Sequence, residues 1–331
     1  MKKKNITDNL KLLTILVSIF LLHCSDNLLK DNLYVEKVIE DFLEHSDKKE
    51  VSRSYIEQQL YDIYDDTRTR GRAIHIGDGI FLTANHVVSN ITNGAIILQT
   101  KRNNVNSNPY GKYEVLASNA ITDTAIIKIP ITKAIGKATF RLYEKILQKK
   151  DNVSQLIYYS KYKKAPSKNK RFEMKYEGLN YYDNIMPQPN LGRFVFLPGS
   201  LMFEKQGTIW PFNEDYFKAL KISTEQVPIA KENQYFTSIP VFPGESGSGV
   251  FYREGEYEAA KYSLCCITII AWATSHLIQT PGHPLGYKTM QQSSDFVIRN
   301  DVIRKFLKDF LVKWKSNRLK FQQQKKTKPK L

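Results

Sequence analysis

The chain has little cysteine, and its main apolar run is too short to cross a membrane. Three of its 331 residues are cysteine: Cys24, Cys265 and Cys266. Adjacent cysteines such as Cys265 and Cys266 are poorly placed to bond each other, so the sequence predicts no disulfide framework. Both lie in an apolar run, where a thiol behaves as a small buried hydrophobic group. The N-terminal apolar core, residues 12–22, has eleven residues, whereas a spanning helix needs about 20.

Histidine is also scarce, which argues against a metal centre. The six histidines are scattered, and they form no group with cysteine or acidic residues at the spacing of a metal site. We therefore expect neither a metal ion nor another cofactor. The sequence shows no internal repeat.

Acidic residues are outnumbered by basic ones. Lysine and arginine together number 49 against 33 aspartate and glutamate, a formal net charge of +16. This balance favours anionic partners such as lipid headgroups, polyanions or acidic surface proteins; solubility alone would also account for it. The basic run at 161–171 has no interleaved aromatic stacking pattern, so binding to nucleic acid is not expected. The oligomeric state is left open.

The N-terminus has the pattern of an export signal. A basic segment precedes the apolar core, which is typical of a secretory signal peptide over 1–23. The segment Leu21-Leu22-His23-Cys24 resembles a bacterial lipobox, although a small residue normally stands where His23 does. We expect Cys24 to carry acyl chains that hold the protein at a membrane surface. The expected location is the bacterial cell envelope, at the outer surface or in the periplasm. A plain secretory signal and a chance cysteine are the alternatives.

A glycine-rich segment at 243–249 suggests acyl-transfer chemistry. Pro243-Gly244-Glu245-Ser246-Gly247-Ser248-Gly249 sets one serine among three glycines. Glycines allow the backbone conformations that bring several N–H groups to one point. Such an arrangement can bind the negative charge of a tetrahedral intermediate. An ordinary glycine- and serine-rich turn is the alternative reading.

Two upstream segments supply partners for this serine. Phe81-Leu82-Thr83-Ala84-Asn85-His86-Val87-Val88 places His86 at the end of an apolar run, and Thr122-Asp123-Thr124-Ala125-Ile126-Ile127 places Asp123 at the head of an apolar strand. Together with Gly244–Ser248, these segments resemble the three motifs of chymotrypsin-like serine proteases, in the branch of bacterial glutamyl endopeptidases and HtrA-like enzymes. The chain order His, Asp, Ser agrees with that family and differs from the order in subtilisins and α/β-hydrolases. The resemblance covers Gly71 to Arg304.

The resemblance implies an all-β fold of two six-stranded antiparallel Greek-key barrels, with an N-terminal helical extension and a C-terminal helix. The expected boundaries are a signal peptide at 1–23, a helical spacer or cap at 24–70, a first barrel at 71–148, a second barrel at 149–298, and a helix with a basic tail at 299–331. Tyr55 to Tyr64 is expected to be helical, and the tail from Lys313 onwards to be disordered. His75 lies outside the triad and is expected to be structural.

The resemblance also implies roles for the three residues. Ser246 would be the nucleophile, His86 the general base and Asp123 the group that orients the imidazole. The N–H groups of Gly244 and Ser246 would form the oxyanion hole. The expected activity is hydrolysis of protein or peptide substrates. The alternative is an inactive, protease-shaped surface lipoprotein that acts as a binding protein or adhesin.

The family register places the primary specificity pocket near Pro240 and Val241, with Ala273 on its wall. The segment Ala271-Trp272-Ala273 would line the pocket and pair with the substrate backbone. No carboxylate lies in these positions, which argues against cleavage after lysine or arginine and favours an apolar or small residue.

Glu245 departs from the family pattern, which has aspartate or asparagine before the nucleophile. In zymogen-type relatives that aspartate pairs with a freshly cut N-terminal amine. An acylated Cys24 offers no such amine, so activity is expected without this kind of cleavage. Glu245 then needs another partner, for which a nearby lysine or arginine is the candidate; the alternative is that Glu245 distorts the loop.

Overall fold

The computed structural model describes parts of the chain between residues 33 and 327. The described ranges are 33–44, 51–65, 69–89, 91, 94–98, 112–129, 142–158, 173–175, 193–196, 202–211, 231–237, 239, 244–255, 260–279 and 287–327. For 270–279 and 287–296 the description covers the backbone. The predicted signal peptide and Cys24 lie outside these ranges. Among the described helices, none is long and apolar enough to cross a membrane.

The described helices are few. They are α1 at 33–44, α2 at Arg53–Glu57, α3 at Asn85–Val88 and α4 at Asn300–Thr327, with a short 3₁₀ helix at Lys231–Asn233. By compactness the chain divides into two units, Met1–Asp41 with Leu307–Leu331, and Phe42–Phe306. The second unit contains all the described strands and every residue discussed below as part of the site.

The first sheet is antiparallel and six-stranded, and its strand order is β4-β1-β2-β3-β6-β5. Its strands are β1 (Leu60–Tyr64), β2 (Thr69–Gly77), β3 (Ile80–Ala84), β4 (Ala95–Leu98), β5 (Glu114–Asn119) and β6 (Thr124–Lys128). Alternate side chains of these strands, such as Tyr61, Ile63, Phe81 and Ile127, form one buried apolar core. Within the described residues the sheet is an open half-barrel, because no pairing joins β4 to β5.

The second sheet closes into a barrel. Its strands are β7 (Asn152–Tyr158), β8 (Glu173–Lys175), β9 (Arg193–Phe196), β10 (Met202–Pro211), β11 (Gln234–Thr237), β12 (Gly249–Glu254), β13 (Lys261–Gln279) and β14 (Tyr287–Ile298). The order is β11-β14-β13-β12-β7-β10-β9-β8, and an additional β10–β11 pairing closes a ring. The hairpin β8–β9 lies outside that ring, so the barrel itself has the six strands that the sequence resemblance implies.

The two sheets share one topology. Numbered along the chain within each sheet, and with β8 and β9 left out of the second, the strands follow the order 4-1-2-3-6-5 in both. This is a Greek-key path, in which the chain crosses from the third strand to the far side of the first. The predicted fold class, two antiparallel Greek-key sheets with terminal helices, is confirmed, although the first sheet is open and not closed.

The sheet begins earlier in the chain than predicted. The sequence predicts a helical spacer over 24–70, including a helix at Tyr55–Tyr64. The structure has helix α1 at 33–44 and helix α2 at Arg53–Glu57, so only the start of Tyr55–Tyr64 is helical. Leu60–Tyr64 is strand β1, which lies between β2 and β4. Its residues are aromatic or apolar except Asp62, and all but the half-buried Tyr64 are buried, on both faces of the sheet. Pairing on both sides therefore overrides the helical spacing of the sequence.

The C-terminal helix is longer than predicted. The tail from Lys313 was expected to be disordered, yet α4 continues to Thr327. Its residues there are mainly lysine, glutamine, arginine and leucine, which are good helix formers. Arg318 Nε also donates to Glu36 Oε1 at 2.6 Å, and Lys315 forms an ion pair with Glu40. These contacts fix the first turns of the basic segment.

The two adjacent cysteines are buried in the core of the second barrel, as predicted. Both are free thiols with no exposed surface, and Cys265 Sγ donates to the carbonyl of Val250 at 3.2 Å. The pairing of β12 with β13 shifts register between Val250 and Phe251, which makes a β-bulge at Cys265. Such a bulge allows two consecutive side chains, here those of Cys265 and Cys266, to enter one core. Burial raises the pKa of the Cys266 thiol, which keeps it protonated and unreactive.

His75 is buried in β2 and is held as a neutral ring, which agrees with the structural role predicted for it. The Gly79 N–H donates to its Nε2 at 3.0 Å, so the ring proton is on Nδ1, which lies 2.7 Å from Gln59 Oε1. Burial lowers the pKa of His75 from its ordinary 6.5 to about 4.

We expect His75 to make the protein less stable as the pH falls from 6.5 to 4. In this window the unfolded chain binds a proton that the folded ring does not, so the free energy of unfolding decreases by up to about 1.4 kcal/mol per pH unit. Denaturation of wild type and His75→Asn at several pH values measures the effect. The variant should show the shallower slope below pH 6.5, and parallel slopes would contradict the assignment.

Candidate active site

His86 and Asp123 are in direct contact. His86 Nδ1 lies 2.6 Å from Asp123 Oδ2, and the His86 backbone N–H donates to Asp123 Oδ1 at 2.8 Å. A carboxylate only accepts hydrogen bonds, so the proton of the neutral ring is on Nδ1 and Nε2 is a free base. The imidazole is 43% exposed, whereas the carboxylate is only 7% exposed. The ring is therefore oriented from a buried side and open to a substrate on the other.

The turn between β5 and β6 determines the position of Asp123. Asn119 Oδ1 accepts from the N–H groups of Ile121 and Thr122, at 2.9 and 3.2 Å. The chain then reaches Asp123 with φ of 49°, a left-handed conformation that aspartate tolerates better than most residues. The Asp123 carbonyl accepts from the Asn85 N–H at 3.0 Å. Asp123 thus binds the first turn of α3 by both backbone and side chain.

The loop at 244–248, called here the serine loop, is tightly bonded to itself and to β13. The Ser248 N–H donates to the Glu245 carbonyl at 3.0 Å, and the Gly247 N–H donates to the Thr268 carbonyl at 2.7 Å. Gly244 and Gly247 have φ of 88° and 85°, which glycine adopts at little cost. In the described part of the chain, neither Gly244 N–H nor Ser246 N–H donates to a backbone acceptor.

The serine loop also lies against the first sheet, close to α3. The Arg72 N–H donates to the Ser246 carbonyl at 2.8 Å. A Cβ added at Gly71 would lie 2.6 Å from Val87 Cγ2 and 2.7 Å from the Ser246 oxygen. Val87 follows His86 directly, so the helix that carries the histidine and the loop that carries the serine meet at Gly71.

The serine hydroxyl is bonded away from the histidine. Ser246 Oγ donates to the Ile269 carbonyl at 2.9 Å, and among the described hydrogen bonds none joins it to the imidazole. Hydroxyl groups change rotamer by rotation about the Cα–Cβ bond. The structure thus joins His86 to Asp123 and brings the serine loop beside α3, with the serine in a rotamer that points to β13.

Glu245 has the kind of partner that the sequence called for. Lys205 Nζ donates to both carboxylate oxygens, at 2.9 and 2.7 Å. Both side chains are buried, at 4% and 7% exposure. Arg72 Nη1 lies 3.9 Å from the same carboxylate. The acidic residue before Ser246 is therefore compensated within the chain.

The residues predicted for substrate binding are described only in part. Pro240 and Val241 lie outside the described residues. The backbone of Ala271, Trp272 and Ala273 is in β13, where it pairs with Asp295, Ser294 and Ser293 of β14. These three residues begin two positions after Ile269, whose carbonyl accepts from the Ser246 hydroxyl. The segment predicted to bind the substrate backbone therefore starts close to the serine loop.

Sequence reasoning missed the residues that seat the loop. Gly71, Arg72 and Thr83 lie in strands of the first sheet, and Lys205 lies in β10, more than a hundred positions further along the chain. Thr83 Oγ1 donates to the Arg72 carbonyl at 2.6 Å directly beside Gly247. The sequence offered one signal for these residues, namely a lysine or arginine within a strand of buried residues.

No metal site accompanies this arrangement in the described residues. No group of three or more histidine, cysteine, aspartate or glutamate side chains there is placed to hold a metal ion.

The two antiparallel sheets, with their shared 4-1-2-3-6-5 order, make a fold that is similar to that of the chymotrypsin-like serine proteases. Similar solved structures include a serine endoprotease from Yersinia pestis, with 14% identity and a TM-score of 0.40, covering 79% of this chain and 68% of that one. The MamO protease domain from Magnetospirillum magneticum has 12% identity and a TM-score of 0.41 over 76% of this chain and 97% of that one.

A third similar structure is an inactive serine-to-alanine mutant of Rv3671c from M. tuberculosis. It has 11% identity and a TM-score of 0.40, covering 78% of this chain and 88% of that one. No protein-family model matches the sequence, and no curated protein matches it.

Alanine at Gly247 should destabilise the fold more than alanine at Gly244. Both positions have the same left-handed φ, which costs alanine about 1–2 kcal/mol. A Cβ at Gly247 would also lie 2.1 Å from the Arg72 oxygen, whereas a Cβ at Gly244 meets nothing within 4 Å. Urea denaturation of both variants gives the difference in the free energy of unfolding. Equal losses would mean that the serine loop does not rest on β2.

Proposed function

We propose that this protein is a serine endopeptidase that hydrolyses peptide bonds through His86, Asp123 and Ser246. The observation that carries the proposal is the 2.6 Å contact between His86 Nδ1 and Asp123 Oδ2 next to a serine loop in which, among the described bonds, the Gly244 and Ser246 N–H groups have no backbone acceptor. A buried carboxylate that orients an exposed imidazole, close to a hydroxyl, is the arrangement that acyl transfer requires.

The first step is attack by Ser246 Oγ on the substrate carbonyl. The hydroxyl leaves the Ile269 carbonyl by rotation about χ1 and gives its proton to His86 Nε2, the free base of the ring. The proton then passes from Nε2 to the leaving amine, and water repeats the sequence on the acyl-enzyme. Asp123 holds the imidazole in this tautomer and stabilises the imidazolium while it exists.

The oxyanion is bound by the N–H groups of Gly244 and Ser246. Both belong to the serine loop, in which the N–H groups of Gly247 and Ser248 are already donated to carbonyls. Loss of one such donor in a related site costs about 10²- to 10³-fold in kcat. The left-handed conformation at Gly244 orients the backbone on either side of the Gly244 N–H.

The substrate binds as an extended strand along β13. Residues 271–273 pair with β14 on one side, and β12, the described strand on the other side of β13, pairs with it only as far as Ile267. Peptides add to such an edge through main-chain hydrogen bonds. The pocket near Pro240 and Val241 accepts an apolar or small side chain.

The second candidate is an inactive surface protein that binds a partner with this fold. It is favoured by the Ser246 hydroxyl, which donates to Ile269 and not to the imidazole. Like the proposed enzyme, this binding protein would be exported to the bacterial envelope and anchored there through Cys24.

A fluorophosphonate probe separates the two candidates. We expect the folded wild type to be labelled at Ser246 and Ser246→Ala not to be labelled. Asp123→Asn should remain folded and lose about 10⁴-fold in kcat, because its amide favours the wrong tautomer of His86. Active-site titration measures the labelling at Ser246, and peptide hydrolysis measures the change in kcat. Folded wild type that resists the probe would exclude the enzyme and leave the binding protein.

We expect Cys24→Ala to release the protein from membranes. Two acyl chains on Cys24 would hold it stably, whereas the basic side chains alone attract it weakly and in a salt-dependent manner. Metabolic labelling with a fatty acid and fractionation at high salt test this in a bacterial host. Unlabelled wild type in the soluble fraction would contradict the proposed anchor.

A further inference from the structure

Four ionisable side chains of alternating sign form a buried row that passes through the serine loop. In order they are Asp62, Arg72, Glu245 and Lys205, from β1, β2, the serine loop and β10. All four residues are buried, the most exposed at 8%. Arg72 Nε lies 3.4 Å from Asp62 Oδ1 and its Nη1 lies 3.9 Å from Glu245 Oε1. Two positive and two negative groups compensate one another.

We propose that Lys205 and Arg72 are positioning residues of the active site. They hold Glu245, and through it the Glu245–Ser246 peptide, in the orientation that aims the Ser246 N–H at the oxyanion. This inference rests on the proposed function. It assigns to two internal side chains the cation that a processed N-terminus provides in zymogen-type relatives, so the folded chain needs no cleavage to complete its site.

The link from ion pair to oxyanion hole runs through one peptide group. The carbonyl of Glu245 accepts from the Ser248 N–H at 3.0 Å. The N–H of the same peptide group belongs to Ser246 and is the proposed donor to the oxyanion. The two-point contact of Lys205 Nζ with the Glu245 carboxylate fixes the side chain of the residue that carries that carbonyl. Rotation of Glu245 would therefore turn the donor away.

The row also joins the two sheets at the site. Lys205 reaches Glu245 from the second barrel, where its partner across the ladder is Gln155, whose Nε2 donates to Thr268 Oγ1 at 3.2 Å. Arg72 reaches it from the first sheet, and the Arg72 N–H also donates to the Ser246 carbonyl. The serine loop is thus held from both sides, by one cation each.

Charge is what makes the pairing essential. A buried ion pair adds little net stability, but removal of one partner leaves an uncompensated charge that must regain solvent or a new partner. With Lys205 replaced, the Glu245 carboxylate would move toward Arg72 or water and take the peptide with it. A displacement of about 1 Å in a catalytic site typically costs about 100-fold in rate.

The test compares Lys205→Met with Glu204→Gln in the full chain. Glu204 is the neighbouring residue on β10, is fully buried and faces away from the loop, where Ser154 and Tyr262 donate to it at 2.7 and 3.0 Å. We expect Lys205→Met to slow fluorophosphonate labelling of Ser246 about 100-fold. In peptide hydrolysis the same loss should appear in kcat and not in KM. Glu204→Gln should lose stability and keep its labelling rate within about threefold.

Hydrogen exchange at the amides of 244–248 provides a readout that does not need activity. Exchange there should accelerate in Lys205→Met and not in Glu204→Gln. Glu245→Gln, which keeps the side-chain shape and removes the charge that pairs with Lys205, should show the same loss and serves if Lys205→Met does not fold.

The outcomes separate the two proposals. Folded Lys205→Met that labels and exchanges like wild type overturns the positioning role while the enzyme stands. Wild type that is not labelled overturns the enzyme, and the exchange difference then decides whether Lys205 orders the loop.

Discussion

Burial of the Glu245 carboxylate is the constraint on which the geometry of the site depends. An isolated carboxylate in a protein interior is costly enough that it must be paired or neutralised. Here it lies one residue before Ser246, so whatever pairs with it also orients the serine loop. Lys205 and Arg72 meet this requirement from two different sheets. The electrostatic demand of one side chain thereby becomes a condition on how the two sheets come together.

The repeated topology explains how distant segments reach one place. His86 follows the third strand of the first sheet, and Ser246 lies between the third and fourth strands of the second barrel. Both residues are thus on the crossing connection of a Greek key, which leaves the sheet and is free to carry functional groups. Asp123 comes from the turn between the fifth and sixth strands of the first sheet, adjacent to β3. The repeat exists in the path of the chain although the sequence shows no repeat.

Much of the fold could be predicted because local patterns agree with it. Gly77-Asp78-Gly79 between apolar runs is a pattern that predicts the hairpin of β2 and β3, and Asp78 and the two glycines have positive φ in the structure. The turn of α3 at His86 and the start of β6 after Asp123 were also where the motifs placed them. Strand β1 was missed because Leu60–Tyr64 has no turn signal before it and sits at the end of a helical pattern. Only its pairing with β2 and β4 makes it a strand.

The sequence by itself determined the residue types and their order: a histidine, an aspartate and a serine among glycines, each next to an apolar strand. It also determined that Glu245 would need a cation, because charge and burial are properties of the residue and its surroundings. Only the tertiary structure decided which cation this is, since Lys205 and Arg72 approach along strands far apart in the chain. It decided as well that Ser246 donates to Ile269. Such choices depend on which atoms lie within about 3 Å after folding, and no local pattern encodes that distance.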